Sequence, residues 1–411
     1  MIHRLTTSLR ECSADETFHR AKLYMDRLGI SRVTDSTRLD RIGIPVFSSI
    51  RPSAAEASLC VHAGKGTTAT EARTGALMEA IEFAFSDPTN SKLTIRKVLP
   101  ENILGKDSGP DAILDLCPRM NTSIKMDVPI PSVKALELNS RKEMDVPAEL
   151  AFTPIDQIEE KYFGSHTNGL SSGNSITEAT IHGILEVIER DAVSFQTFRD
   201  DSYLINSATL PASLKSLLDK IEHARLDVIV KYVNHHSGLP VFMCWLIDPL
   251  MKNSIYINKG YGCHINKSIA ITRAVTEAVQ SRMSFIHGGR DDLVRDYEYF
   301  EAMTEEQRTQ HFDQTMKTRQ SSKDSISYDD IEDVKWDYQK LDDALEMLLT
   351  QLGDRDYDKV LRAVHTGAED SIHVVKVIIP KMEFFTLENK RVGPKLLTLL
   401  NEIADHNIRR A

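Results

Sequence analysis

The spacing of apolar positions alternates between helical and strand-like periods along the whole chain. Over 16–29, Phe18, Ala21, Met25 and Leu28 share one side of a helical projection, which predicts an amphipathic helix closed by Gly29 as a C-cap. Strand-like runs follow at 42–47 and 57–62. The second of them leads into a turn at Gly64-Lys65-Gly66 and a helix over about 68–85. Between 96 and 162, short strand-like runs are broken by proline-bearing turns, as in Val128-Pro129-Ile130-Pro131. A second glycine-rich turn and helix occupy about 164–195, and a third block of this kind covers 260–288. Apolar runs at 227–233 and 241–247 predict strands, as does 373–379 before Pro380, and a last helix starts at Pro394. Strands and helices interleave without regular βαβ spacing, so the expected class is mixed α/β (α+β) with a partly antiparallel sheet.

Residues 289–360 differ in character. They are charged and helix-leaning, with Glu305-Glu306-Gln307 and an acidic run around Asp329-Asp330, and predict a solvated, mostly helical peripheral insert within one domain spanning 1–411. Hydrophobic content of 41% and charged content of 27% fit a globular protein. A net charge of −10 argues against a general nucleic-acid binder, which would carry a basic face. No apolar run reaches the length of a membrane span, and Met1-Ile2-His3-Arg4-Leu5 has no apolar signal core, so a cytoplasmic location is expected. The five cysteines (Cys12, Cys60, Cys117, Cys244, Cys263) form no CxxC pair and read as free, mostly buried thiols.

The helical blocks repeat one pattern. Gly64-Lys65-Gly66 precedes Thr70-Glu71-Ala72, then Glu79 and Glu82; Gly173-Asn174 precedes Thr177-Glu178-Ala179, then Glu186, Glu189 and Arg190. The third block keeps Gly262, Ser268, Ala270, Glu277 and Gln280 in the same slots. Helical spacing puts Glu71, Gly75, Glu79 and Glu82 on one stripe and Glu178, His182, Glu186 and Glu189 on another. Carboxylates crowded on a stripe repel one another unless a cation lies between them, and clustered oxygens suit a hard ion such as Mg²⁺ that shares its shell with phosphates. Lys65 and Arg190 would neutralise phosphate, and backbone amides of the glycine turns would line it. The third stripe, Ile269, Arg273, Glu277 and Gln280, is followed by Arg282 and Arg290 and offers an amide and cations instead. Gly64-Lys65-Gly66 is not a Walker loop, because Leu59 stands where the first glycine belongs and Gly66 replaces the hydroxyl residue. Neither zinc nor a di-iron carboxylate bundle finds its ligand spacing around His182 and Glu186.

The stretch from Gly169 through Ser172-Gly173-Asn174 to Glu186, Glu189 and Arg190 resembles the signature of the YcaO family. So do Gly64-Lys65-Gly66 with Glu79 and Glu82, Gly260-Tyr261-Gly262-Cys263-His264, and Glu277-Ala278-Val279-Gln280-Ser281-Arg282. The resemblance implies a standalone YcaO-type catalytic domain with one nucleotide site, ATP and Mg²⁺ as cofactors, and activation of an amide oxygen. It implies Glu79, Glu82, Glu186 and Glu189 at the metal, with Glu178 close to the metal–phosphate array. Asn174 and Arg190 would contact phosphates, and Arg10 with Thr17 would match the family's N-terminal nucleotide residues. Arg282 or Arg290 would add a phosphate contact. Glu186, Glu189 and Arg190 are the expected catalytic group.

An amide oxygen is a poor leaving group, and phosphorylation after nucleophilic addition turns it into phosphate. A neighbouring Cys, Ser or Thr then gives an azoline, sulfide a thioamide, an amine an amidine. Azoline-forming members typically end in a proline-rich tail, whereas this chain ends Asp405-His406-Asn407-Ile408-Arg409-Arg410-Ala411, and the catalytic fold uses the whole chain. Both points lean towards thioamide formation on a peptide or small lactam-type amide in natural-product biosynthesis, with a sulfur-donor protein as a partner and a homodimer compatible. The alternatives are an azoline-forming cyclodehydratase and a non-catalytic nucleotide-binding scaffold.

Overall fold

The computed structural model describes residues 2–105, 108–155, 158–251, 253–320, 324–334 and 339–408. Met1 and Arg409-Arg410-Ala411, which entered the reading of the termini, lie outside them, as do 321–323 and 335–338 of the 289–360 segment. Strands and helices are numbered in chain order. The chain divides into two compact units.

The first unit comprises Met1–Ala54, Leu59–Ile81 and Asp201–Asp337. A short antiparallel ribbon of β1 (His3–Arg4) and β2 (Leu9–Arg10) leads to α1 (Ala14–Lys22), whose N-cap Ser13 accepts from the Glu16 N–H. Strands β3 (Arg32–Asp35), β4 (Val46–Ile50) and β5 (Val61–Lys65) form an antiparallel sheet in that order, and β5 runs into α2 (Ala69–Phe85). A five-stranded sheet has the order β13 (Ile257–Cys263), β12 (Pro240–Ile247), β11 (Asp227–Asn234), β10 (Tyr203–Ile205), β14 (Ser325–Ile326). Only its β10–β14 pair is parallel. Against it the core gathers Leu214, Leu217 and Ile221 of α5 (Ala212–His223), Phe242 and Leu246 of β12, and Ala270, Ala274 and Ala278 of α6 (Lys267–His287). Every residue of β12 is buried, which is why its sequence reads as unbroken apolar. Helices α7 (Val294–Glu301) and α8 (Glu305–Gln320) complete the unit.

The second unit comprises Ala55–Ser58, Glu82–Asp200 and Tyr338–Ala411, so the last turn of α2 counts with it. Its six-stranded antiparallel sheet has the order β6 (Arg96–Val98), β7 (Ile130–Glu137), β15 (Leu361–Val364), β16 (His373–Ile378), β9 (Leu170–Gly173), with β8 (Glu143–Pro147) also paired to β7. Helix α4 (Ile176–Gln196) packs on β9 and β16. Short α3 (Ala148–Ala151), α9 (Leu341–Gly353) and α10 (Pro394–Ile408) surround the sheet, over a core that includes Phe152, Phe163 and Leu361. Among the described residues no helix is long and apolar enough to cross a membrane.

The mixed α/β class expected from the pattern is the one found. Two boundaries moved. The first helix ends at Lys22, and turns carry Tyr24 and Leu28 inward while Leu23 stands 79% exposed. The early strands lie later than predicted, at 46–50 and 61–65, so Gly64 and Lys65 are strand residues and no turn forms there. Within 289–360, Tyr328 and Ile331 belong to the first unit's core, and α9 buries Leu341, Ala344, Leu348 and Leu352.

Candidate functional site

The three blocks are three copies of one strand–helix unit: β5 with α2, β9 with α4, β13 with α6. Each helix starts on the same device. Thr68 Oγ1 accepts from the Glu71 N–H at 3.2 Å, Ser175 Oγ from Glu178 at 3.1 Å, and Asn266 Oδ1 from Ile269 at 3.1 Å. Such caps contribute about 1 kcal/mol each. Each strand then lies so near its helix that a side chain must be missing at the crossing. A Cβ on Gly64 would sit 2.1 Å from the Ala72 carbonyl oxygen, and one on Gly262 2.0 Å from that of Ala270. In the second copy the gap has changed sides. Ser171 stands on the strand, its Oγ donating to the Ala179 carbonyl at 2.8 Å, and the helix supplies Gly183. The shift that carries Glu79 to Glu186 also carries Glu82 to Glu189, and the one that carries Glu186 to Glu277 also carries Glu189 to Gln280.

In the first unit, the Glu79 carboxylate accepts from the Ala63 N–H at 2.9 Å. Burial pushes its carboxyl above the usual range, against the pull of Arg290 and Lys65. Lys65 donates to Glu277 Oε2 at 2.5 Å, each side chain about one-fifth exposed at 20% and 18%. Arg290 is chelated by Asp292 at 3.0 and 2.7 Å. Burial opposes its charge, but Asp292 and the Glu79 carboxylate outweigh that and raise its pKa. Arg282 is placed quite differently. It is 3% exposed and donates to Asp40 Oδ2 at 2.9 Å and Asp248 Oδ2 at 3.1 Å, while Arg41 also reaches Asp248 at 2.8 Å. Arg10 donates to Ser8 Oγ at 3.0 Å, and buried Thr17 donates to the Ser13 carbonyl at 2.9 Å. His264 is pushed down to about 3 by burial first, then by the charges of Arg273 and Arg10.

In the second unit, Glu178 and Glu189 are 2% and 1% exposed. Glu178 accepts from the Asn174 N–H at 3.2 Å and from Asn174 Nδ2 at 3.2 and 3.3 Å, a grip that fixes the asparagine on the turn before α4. Glu82 accepts from Ser172 Oγ at 2.6 Å, and Arg190 lies 3.5 Å from Glu189. Lys376 of β16 is 1% exposed and donates to the His166 carbonyl at 2.5 Å. Burial pulls it down to about 7, the Glu186 carboxylate holding it up and Arg391 pressing it lower.

His62, His264, Lys376 and Ser172 were missed in the sequence. Ser172 and His264 left a signal, each standing in a quoted motif; His62 and Lys376 are recognisable only once burial and charged neighbours are known. The donor set fits a hard cation. Its groups are carboxylate oxygens on successive helical turns, and Glu79 bears a burial penalty on its charge that a bound cation would relieve. Glu79, Glu82 and Glu178 are positioned by a strand N–H, a hydroxyl and the Asn174 backbone and amide donors respectively.

Comparison with known proteins agrees with this reading. The family model described as YcaO cyclodehydratase, ATP- and Mg²⁺-binding, matches residues 63–383. An uncharacterized protein of Methanothermobacter thermautotrophicus is 32% identical over 382 residues, covering 90% of this chain and 94% of that one. The fold is similar to that of YcaO from Methanopyrus kandleri bound with AMPPCP and Mg²⁺, with a TM-score of 0.75 at 22% identity over 95% of this chain and 96% of the other. It is also similar to a heterocyclase in complex with substrate and cofactor, with a TM-score of 0.72 at 15% identity over 97% of this chain and 56% of that one.

Proposed function

The chain belongs to the YcaO family of ATP- and Mg²⁺-binding proteins, and on that premise we propose that it replaces an amide oxygen by sulfur, on a peptide or a small lactam-type substrate. The observation that carries the amide-activating part is the repeated placement of Glu79 and Glu186, with Glu82 and Glu189 one turn on, behind capped helix starts. In the second unit Glu82, Glu186 and Glu189 are the proposed Mg²⁺ ligands, with Glu178 close by and holding Asn174 towards phosphate. In the first unit Glu79 is the proposed ligand, and Lys65 and Arg290 meet phosphate charge; Arg282, tied to two buried aspartates, is left out. Arg10 and Thr17 keep their proposed place at the nucleotide.

Bound ATP supplies the phosphoryl group that converts the amide oxygen into a leaving group. The residues orient the reactants and neutralise charge, the main demands of phosphoryl transfer. Sulfide adds to the amide carbon, the oxygen leaves as phosphate, and the thioamide, ADP and phosphate result. Sulfide can be delivered free or by a donor protein. The likeness to a heterocyclase favours a second reading, azoline formation from a Cys, Ser or Thr of a peptide.

Protein incubated with ATP, Mg²⁺, sulfide and candidate amides should release phosphate and yield a product heavier by about 16 Da, the exchange of oxygen for sulfur by an external nucleophile. A loss of about 18 Da would establish the azoline reading, in which the nucleophile is the substrate's own side chain. Glu186→Gln should abolish ATP turnover and leave the circular-dichroism spectrum unchanged. Near-normal turnover in that variant sinks the metal assignment.

A further inference from the structure

Strand β5 is the last strand of its sheet, with β4 on one side. An edge strand must find partners for its outward N–H and C=O groups. At Ala63 two helices provide them as side chains. The N–H donates to Glu79 Oε2 at 2.9 Å, and the carbonyl accepts from Gln280 Nε2 at 3.0 Å. Two residues on, Lys65 Nζ donates to Glu277 Oε2 at 2.5 Å. The third copy of the repeat thus spends both of its matching positions on the strand of the first copy.

We propose that α6 is a positioning element for the first repeat: Glu277 fixes the Lys65 ammonium and Gln280 fixes β5, so that Lys65 and Glu79 meet Mg²⁺–nucleotide in one arrangement. This rests on the nucleotide reading given above. The chemistry explains why the third copy departs from the other two. A carboxylate at 280 would face the Ala63 carbonyl, anion against acceptor, whereas an amide donates to it. At 277 a carboxylate is kept because its partner is an ammonium, and the pair is shielded enough for the charge-assisted bond to hold. The Glu79 carboxylate is coupled to both, since it takes the N–H of the residue whose carbonyl Gln280 holds.

The test uses Glu277→Gln, Gln280→Glu and the exchange variant K65E/E277K in the full chain, with three readouts. These are thermal unfolding, hydrogen–deuterium exchange of 61–66 against 170–173, and affinity for a non-hydrolysable ATP analogue with Mg²⁺. Glu277→Gln and Gln280→Glu should speed exchange at 61–66, leave 170–173 unchanged, and weaken analogue binding about tenfold, the scale of one charge-assisted contact. K65E/E277K should restore the protection of 61–66, because the ion pair is remade, and still bind the analogue weakly, because the ammonium has moved. Unchanged exchange in both single variants overturns the bracing. Analogue affinity restored by the exchange variant overturns the positioning role and leaves a structural pair. Wild-type protein that fails to bind the analogue overturns the nucleotide reading, and the exchange data then decide the bracing by themselves.

Discussion

Arg282 and Arg290 stand eight positions apart after the third stripe, and their surroundings assign them opposite work. Arg282 is buried against Asp40 and Asp248, both nearly inaccessible, so its charge is consumed by the fold. Arg290 stays beside the Glu79 carboxylate. Removing one member of a buried ion network leaves an uncompensated charge, at a cost of about 3–5 kcal/mol. Arg282→Ala should therefore lower the thermal midpoint sharply, whereas Arg290→Ala should melt near wild type and bind Mg²⁺–nucleotide more weakly, read by calorimetry. The reverse pattern would refute the division of roles. At this scale the sequence was legible where chemistry is local. Glu178 lies four residues from Asn174 and was placed with it by motif alone. The partners of Arg282 come from distant positions 40 and 248, and only the fold brings them together.

The strand–helix copies show how an element can be right in kind and displaced in position. The repeated spacing, the small-residue helix starts and the carboxylates one turn apart were all visible in the sequence. The glycines were expected to make turns, the commoner use of Gly-x-Gly, and the strand was placed before them. In the structure Gly64 and Gly262 lie within strands because the helix backbone comes too close for a Cβ. Only the second copy reveals the rule, since its glycine is on the helix, at Gly183, opposite Ser171. Gly262→Ala should destabilise by about 1–3 kcal/mol, the usual penalty of overpacking. Gly353→Ala is the matched control: it sits at the end of α9 with nothing within 4 Å of an added Cβ. It should be neutral or stabilising by about 0.5–1 kcal/mol through the loss of unfolded-state freedom. Urea titrations that rank the two variants the other way would show that the close approach is not what selects glycine.

Taken over the whole molecule, histidine burial sets the response to acid. His62 and His264 in the first unit and His365 in the second are each pushed down to about 3, in every case first by burial and then by nearby cations. In the unfolded chain such groups titrate near 6.5, so between about 6.5 and 3 the unfolded state binds the extra protons. Their contribution is complete above the unfolded value and is lost as pH falls towards the folded one, at about 1.4 kcal/mol per pH unit for each histidine. Three together approach about 4 kcal/mol per unit, against a total stability of about 5–15 kcal/mol. Glu79 and Glu383, both raised by burial, act in the opposite sense over the acid range, but they are two groups against these three histidines and His166, which burial also pushes well down. Lys376, pulled down to about 7, adds stability only on the alkaline side, as pH rises from there towards its unfolded value. Unfolding midpoints in urea should therefore fall steeply from pH 6.5 to pH 5 and rise modestly from pH 7 to pH 9. His365→Phe should reduce the acid slope by about one proton, because the residue it replaces no longer takes up a proton on unfolding. A flat midpoint between pH 6.5 and pH 5 would mean that these imidazoles reach solvent before the units unfold, and that burial of the histidines does not govern acid stability.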